Sequence, residues 1–203
     1  LRRKNIPYRI YGGLSFYQRK EVKDLLGYFR LAINTKDEEA FRRIINYPKR
    51  GIGDTTVDKI TVVANRENAS LWDVCENLAF YQGAGLNRPT QVKIQDFVTK
   101  IQSFQAIIQG KEAFEAAELI ARSSGIIREF SQDKTPEGVN RSENIQELLN
   151  SVKEFTENQR EVENGDPSLP AFMQDIALIT DSDSDNPADQ NKVSLMTIHL
   201  AKG

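Results

Sequence analysis

Apolar residues along most of the chain recur three and four positions apart, the interval that stacks side chains on one face of a helix. Between Arg19 and Ile33 they fall at Val22, Leu25, Leu26, Phe29 and Ile33. That predicts an amphipathic helix, with Lys20 and Asp24 facing each other across one turn of its polar side. Asp37 is placed to cap a second, short helix bearing Phe41, Ile44 and Ile45, which Pro48 terminates. Asp54 or Thr55 can cap a third helix carrying Val57, Ile60 and Val63, and Ser70 can cap a fourth. A longer stripe, Ile94, Phe97, Ile101, Phe104 and Ile108, ends at Gly110, and Ala113 to Ile120 resumes it. Pro136 and Gly138 make Ser131 to Asn140 read as a polar loop. Ile145, Leu148, Leu149, Val152 and Phe155 trace another helix, and Leu169 to Ile179 a last short one, with Pro170 tolerable in its first turn.

The period changes at both ends. Ile6-Pro-Tyr-Arg-Ile-Tyr-Gly-Gly13 alternates and closes on two glycines, as a short strand and turn do. Val193, Leu195 and Ile198 read as a second strand, after an acidic stretch from Asp181 to Lys192 that reads as a mobile loop. The fold expected is mainly α: a helical block inserted between two pieces of an α/β sheet, with no internal repeat evident. A chain beginning without Met and stopping straight after Lys202-Gly203 reads as a segment of something larger.

Composition narrows the classes. At 203 residues there is material for one large domain or two small ones. No apolar run approaches a membrane span, and Leu1-Arg2-Arg3-Lys4 leads into no hydrophobic signal region, so a cytoplasmic location is expected. Cys75, the one cysteine, excludes an internal disulfide and reads as a small core filler. The net charge of −2 hides an asymmetry. Residues 1–60 hold about 14 Lys/Arg against about 7 Asp/Glu, the local surplus that a nucleic-acid surface needs.

Several chemistries are missing their parts. There is no G-x-x-x-x-G-K-[ST] phosphate cradle, and Gly51-Ile-Gly53 has Thr56 where a dinucleotide fingerprint needs its third glycine. Asp181-Ser-Asp-Ser-Asp185 starts like a calcium loop, but Asn186 and Lys192 replace the required glycine and bidentate glutamate. With His199 the sole histidine, neither a catalytic triad nor a histidine-rich metal site is available. Two stretches remain. In Pro48-Lys-Arg-Gly-Ile-Gly-Asp-Thr-Thr56, two glycines permit a sharp, closely approachable turn onto a helix start. Lys49 and Arg50 add charge, and Thr55 and Thr56 add hydroxyls. Such parts suit a phosphate clamp blind to sequence, and equally an ordinary interhelical turn. In Val193-Ser-Leu-Met-Thr-Ile-His-Leu-Ala-Lys-Gly203, Thr197 and His199 would emerge at the C-terminal end of a strand, where open α/β sheets bind ligands.

Taken in order, three segments resemble one family. Residues 8–31, "YRIYGGLSFYQRKEVKDLLGYFRL", resemble motif IV and its surroundings in superfamily 1 DNA helicases of the UvrD/Rep/PcrA type. "PKRGIGDTT" resembles the Gly-Ile-Gly element of their accessory subdomain, and "VSLMTIHLAKG" their motif V. The resemblance implies a fragment of an ATP-dependent 3′→5′ DNA helicase, using ATP and Mg2+ in the parent and neither alone. Residues 1–35 would belong to a RecA-like motor domain (2A), 36–190 to the all-helical accessory subdomain (2B), and 191–203 to the returning 2A strand. It assigns Lys49, Arg50, Gly51, Ile52, Gly53, Thr55 and Thr56 to the duplex backbone. Gly13, Ser15, Arg19, Thr197 and His199 go to the single strand, and Lys202 and Gly203 to nucleotide coupling. No catalytic residue or metal ligand is expected in the segment. The partners implied are a DNA junction, the remaining motor domains and repair or replication proteins, with no membrane. A non-enzymatic DNA-binding module, an autoinhibitory or protein-interaction element, and a related recombination helicase–nuclease are the alternatives.

Overall fold

A computed structural model describes the backbone of residues 8–11, 16–182 and 193–196, and the side chains of residues 16–178 and 193. The expected mainly α architecture is what it contains. Helix α1 (Lys20–Ile33) is the spine of the helical block. It packs against α2 (Glu38–Ile44), α5 (Arg88–Gly110), α6 (Ala113–Ser124), α8 (Pro136–Glu161) and α9 (Leu169–Ser182). Val22, Leu25, Tyr28, Phe29 and Leu31 have no exposed surface, so α1 is covered on nearly every side rather than on one stripe. Helices α3 (Asp54–Glu67) and α4 (Leu71–Glu76) pack on each other, and α4 also meets α5, while α7 (Ile126–Gln132) fills the gap between α6 and α8.

The pairing of Lys20 with Asp24 holds at 2.7 Å, but its setting differs from a solvated polar face. Only 4% of the Asp24 side chain is exposed, and Arg43 of α2 closes on its other oxygen at 2.9 Å. A buried carboxylate needs such partners. One turn on, Gly27 lies against α2 so closely that a β-carbon there would meet Ile44 Cγ2 at 2.9 Å. The missing side chain at residue 27 therefore sets the distance between α1 and α2.

Most helix starts are capped as the sequence suggests. Asp37 accepts from the Ala40 amide at 2.9 Å, and Ser70 and Asp73 form a reciprocal capping box at 3.1 Å each way. The polar loop expected over Ser131 to Asn140 is a correction. It shrinks to residues 133–135, because Pro136 occupies the first helical position, where a missing N–H costs nothing. Gly138 is then buried against Asp133, whose carbonyl lies 2.5 Å from where a β-carbon would stand. Cys75 is fully buried, and that burial pushes its thiol up to about 12, the behaviour of an inert filler.

Two short strands, β1 (Tyr8–Tyr11) and β2 (Val193–Met196), pair in parallel, Tyr8 opposite Val193 and Tyr11 opposite Met196. Parallel neighbours require a long crossover, and here the whole helical block supplies it. The expected boundary at residue 35 falls between α1 and α2, two helices that share one core. As packed, the block starts with α1. Among the described residues no helix is long and apolar enough to cross a membrane.

Candidate nucleic-acid interface

The turn between α2 and α3 is built around Asn46. Its side-chain oxygen accepts from the backbone amides of both Arg50 and Ile52, each at 3.0 Å. That double bond bends the chain between them, and Gly51 takes a left-handed φ of +72°, a conformation costly for any other residue type. Ile52 plugs into the core with 1% of its surface exposed.

Arg50 does not face solvent. One guanidinium nitrogen donates to the carbonyls of Ile44 (2.8 Å) and Tyr47 (2.9 Å) at the end of α2. The other donates to the Tyr28 hydroxyl and reaches the Ser124 carbonyl at 3.5 Å. The cation also lies over the Phe97 ring, 5.5 Å from its centroid. Burial first, and then the Arg50 charge, hold the Lys100 amine below its ordinary range. Arg50 is thus an internal brace, which departs from its expected place on a DNA backbone. The carbonyls at and just beyond the end of α2 attract a cation, and the bend at residues 45–48 brings the side chain back over them.

What faces outward is the start of α3. Gly51, Gly53, Asp54 and Thr55 are exposed, and among the described residues their amides donate to nothing. The Thr55 and Thr56 hydroxyls and the Lys49 ammonium have no described partner either, while the Thr56 amide is spent on the Gly53 carbonyl at 2.9 Å. The expected cap by Asp54 or Thr55 is absent. Gly53 takes the cap position and makes no side-chain bond. Conformation does not demand a glycine there: φ is −80°, and a β-carbon would meet nothing within 4 Å. Lys93, from α5, points its ammonium at the Gly51 carbonyl at 3.4 Å, adding a cation that the linear sequence places far away. Asp54 and Asp58 are exposed on the same helix and oppose it in sign.

A similar glycine-to-lysine span lies beside the first. Gly85, Leu86, Asn87, Thr90 and Lys93 stand 34 positions after Gly51, Ile52, Gly53, Thr56 and Lys59. Gly85 is also left-handed, at φ +65°, and α5 starts one residue after Asn87 as α3 starts one residue after Gly53. The contacts are reciprocal, as a two-fold relation requires. Lys93 meets the Gly51 carbonyl at 3.4 Å, and Lys59 meets the Gly85 carbonyl at 3.4 Å. The two spans differ at the cap. Asn87 accepts from the Thr90 amide at 3.0 Å, closing the start of α5, whereas Gly53 leaves the start of α3 open.

Of the remaining candidates, Arg19 donates to the Asn144 side chain, which in turn donates to the buried Glu21, so it ties the entry to α1 onto α8. Gly13, Ser15, Thr197, His199, Lys202 and Gly203 lie outside the described residues, as does most of the acidic stretch from Asp181 to Lys192. Among the described residues no cluster of His, Cys, Asp or Glu could hold a metal ion. Lys59, Lys93 and Asn46 are the site residues that sequence reading missed. The signal for the lysines was the 34-residue offset between two glycine-to-lysine spans.

Comparison with known proteins agrees with the three ordered segments. The chain is 36% identical over 204 residues to the ATP-dependent DNA helicase PcrA of Staphylococcus epidermidis, and 35% identical over 201 residues to that of Staphylococcus aureus. In each case 99% of this chain is covered and 26% of the relative's length. All of residues 1–203 match the UvrD-like helicase C-terminal domain. The chain therefore belongs to the UvrD-like helicase C-terminal domain family, as a fragment of a superfamily 1 helicase of the UvrD/PcrA kind.

Proposed function

We propose that this segment contributes the duplex grip of an ATP-dependent 3′→5′ DNA helicase, holding the phosphate backbone at the start of α3. The groups in contact are the amides of Gly51, Gly53 and Thr55, the hydroxyls of Thr55 and Thr56, and the ammonium ions of Lys49 and Lys93. Arg50 and Ile52 shape the turn from behind. Phosphate contacts carry no sequence information, which suits an enzyme that must pass over every sequence.

One observation carries the reading. At the start of α3 the exposed Gly53, Asp54 and Thr55 amides donate to no described partner, beside a cap glycine that neither φ nor crowding requires. The start of α5 offers fewer donors, because Asn87 closes on the Thr90 amide and Pro89 has no N–H. A bare, uncapped helix start forgoes stability and keeps room for an anion.

In the same reading the helical block from α1 to α9 is the accessory subdomain, and β1 and β2 belong to the motor domain. Gly13, Ser15, Arg19, Thr197 and His199 line the single-strand path, and Lys202 and Gly203 lie toward the nucleotide. ATP and Mg2+ act in the parent on parts this sequence lacks, repair or replication proteins are the partners, and the compartment is the cytoplasm. The 203-residue chain accordingly hydrolyses no ATP. DNA-stimulated hydrolysis by a pure preparation contradicts the assignment. An interaction role is the second reading, favoured by a groove of about 450 Å³ among α1, α2 and α9, lined by Leu26, Ile33, Pro170 and Met173. Duplex binding that weakens with salt and with Lys49→Ala supports the grip, and absence of duplex binding supports the interaction role.

A further inference from the structure

We infer that Asn46 is the positioning residue of this grip, with Arg50 as its anchor, and that neither touches DNA; this rests on the duplex reading above. Two neighbouring facts converge on it. The Asn46 carboxamide oxygen takes the amides on either side of Gly51, at 3.0 Å each, so those two donors are withdrawn from any ligand. Gly51 between them keeps an unpaired, exposed amide and turns its carbonyl toward Lys93. The same residue that silences two amides presents the third.

Arg50 fixes the other side. Its guanidinium collects carbonyls from the end of α2 and from Ser124 at the end of α6, and it meets the Tyr28 hydroxyl of α1 and the Phe97 ring of α5. Four helices thereby hold one residue, and that residue's own amide is an Asn46 donor. A turn on a flexible link would present its amides in many orientations and lose them as a preorganised phosphate seat. Held on both sides, it presents them in one. Arg50 acts by place, not by charge toward the ligand, although its sequence position beside Lys49 invites the opposite assignment.

The two modes have different salt signatures. Losing a cation that neutralises a phosphate flattens the slope of log affinity against log salt by about one unit, whereas losing position weakens binding at every salt with the slope kept. The experiment titrates a mixed-sequence duplex into the 203-residue chain and its variants across a salt series, with thermal melts alongside. Lys49→Ala is expected to flatten the slope by about one unit. Asn46→Gln, which moves the same carboxamide by one methylene without changing charge, is expected to fold and to bind roughly tenfold more weakly at unchanged slope. Arg50→Lys is expected to do the same, because lysine cannot reproduce the fork. Asn46→Ala, if it folds, should match Asn46→Gln. The inference is overturned if Arg50→Ala flattens the slope as Lys49→Ala does, or if Asn46→Gln melts earlier yet binds like the parent. If Lys49→Ala and Gly53→Asn leave duplex binding untouched, it is the grip itself that fails.

Discussion

Gly53 and Asn87 hold the same place in two similar spans and do opposite things there. The difference predicts a trade between stability and binding. Gly53→Asn should cap α3 and stabilise the fold by a few tenths of a kcal/mol. It should also lower duplex affinity several-fold, because the new side chain fills the open approach. Asn87→Gly should cost a few tenths of a kcal/mol and leave duplex affinity unchanged. Thermal melts paired with duplex titrations check both. Tyr28 gives a pH prediction. Burial first, opposed by the Arg50 charge, raises its phenol from 10.0 to about 12. A raised acid pKa means stability that is full below pH 10 and is lost as pH rises toward 12, because the unfolded chain ionises first. Tyr28→Phe should therefore shrink the loss of stability over that window, at a cost near 1 kcal/mol for the hydrogen bond to the Tyr47 carbonyl. At this scale Lys49 and the bend at Gly51 were legible, since a lysine in a glycine turn has few places to go but water. Arg50 was not, because its partners are carbonyls and rings from four helices that only folding brings together.

At the scale of elements, apolar spacing located most helices because each buries a face, and a buried face must repeat with the helix. It failed over residues 131–140, where Pro136 and Gly138 looked like breakers. Proline is a breaker only beyond the first turn, and Gly138 is there because Asp133 leaves no room for a β-carbon. It also missed the pairing of the two spans, since they share only a glycine, an apolar residue, a threonine and a lysine. Their likeness lies in the left-handed glycine and in contacts made across the pair. The junction of α1 and α2 is the sharpest test of the packing. Gly27→Ala places a methyl against Ile44 Cγ2 at 2.9 Å, and overpacking of this kind costs about 1–3 kcal/mol. Denaturant unfolding should show a lower midpoint with an unchanged slope. Undiminished stability would mean that α1 and α2 part easily and that the spine of the block is placed wrongly.

Over the whole molecule, the two strands that flank the helical block in sequence pair with each other in parallel. The end strands were readable from alternation alone. That α1 joins the helical block was not, because an amphipathic pattern does not say which neighbour a face will meet. The charge asymmetry also looks different once folded: Arg50 and Arg43 are spent on internal partners, Lys49, Lys59 and Lys93 face outward near the start of α3, and Arg42 and Arg66 are exposed farther along it. The proposed duplex grip requires that small surface to hold a double strand by its phosphates. Titration of the 203-residue chain with duplexes of unrelated sequence, from low to physiological salt, measures this directly. Equal affinity for every sequence, falling steeply with salt and reduced by Lys49→Ala, is the predicted result; no duplex binding at low salt, or binding indifferent to salt, contradicts it.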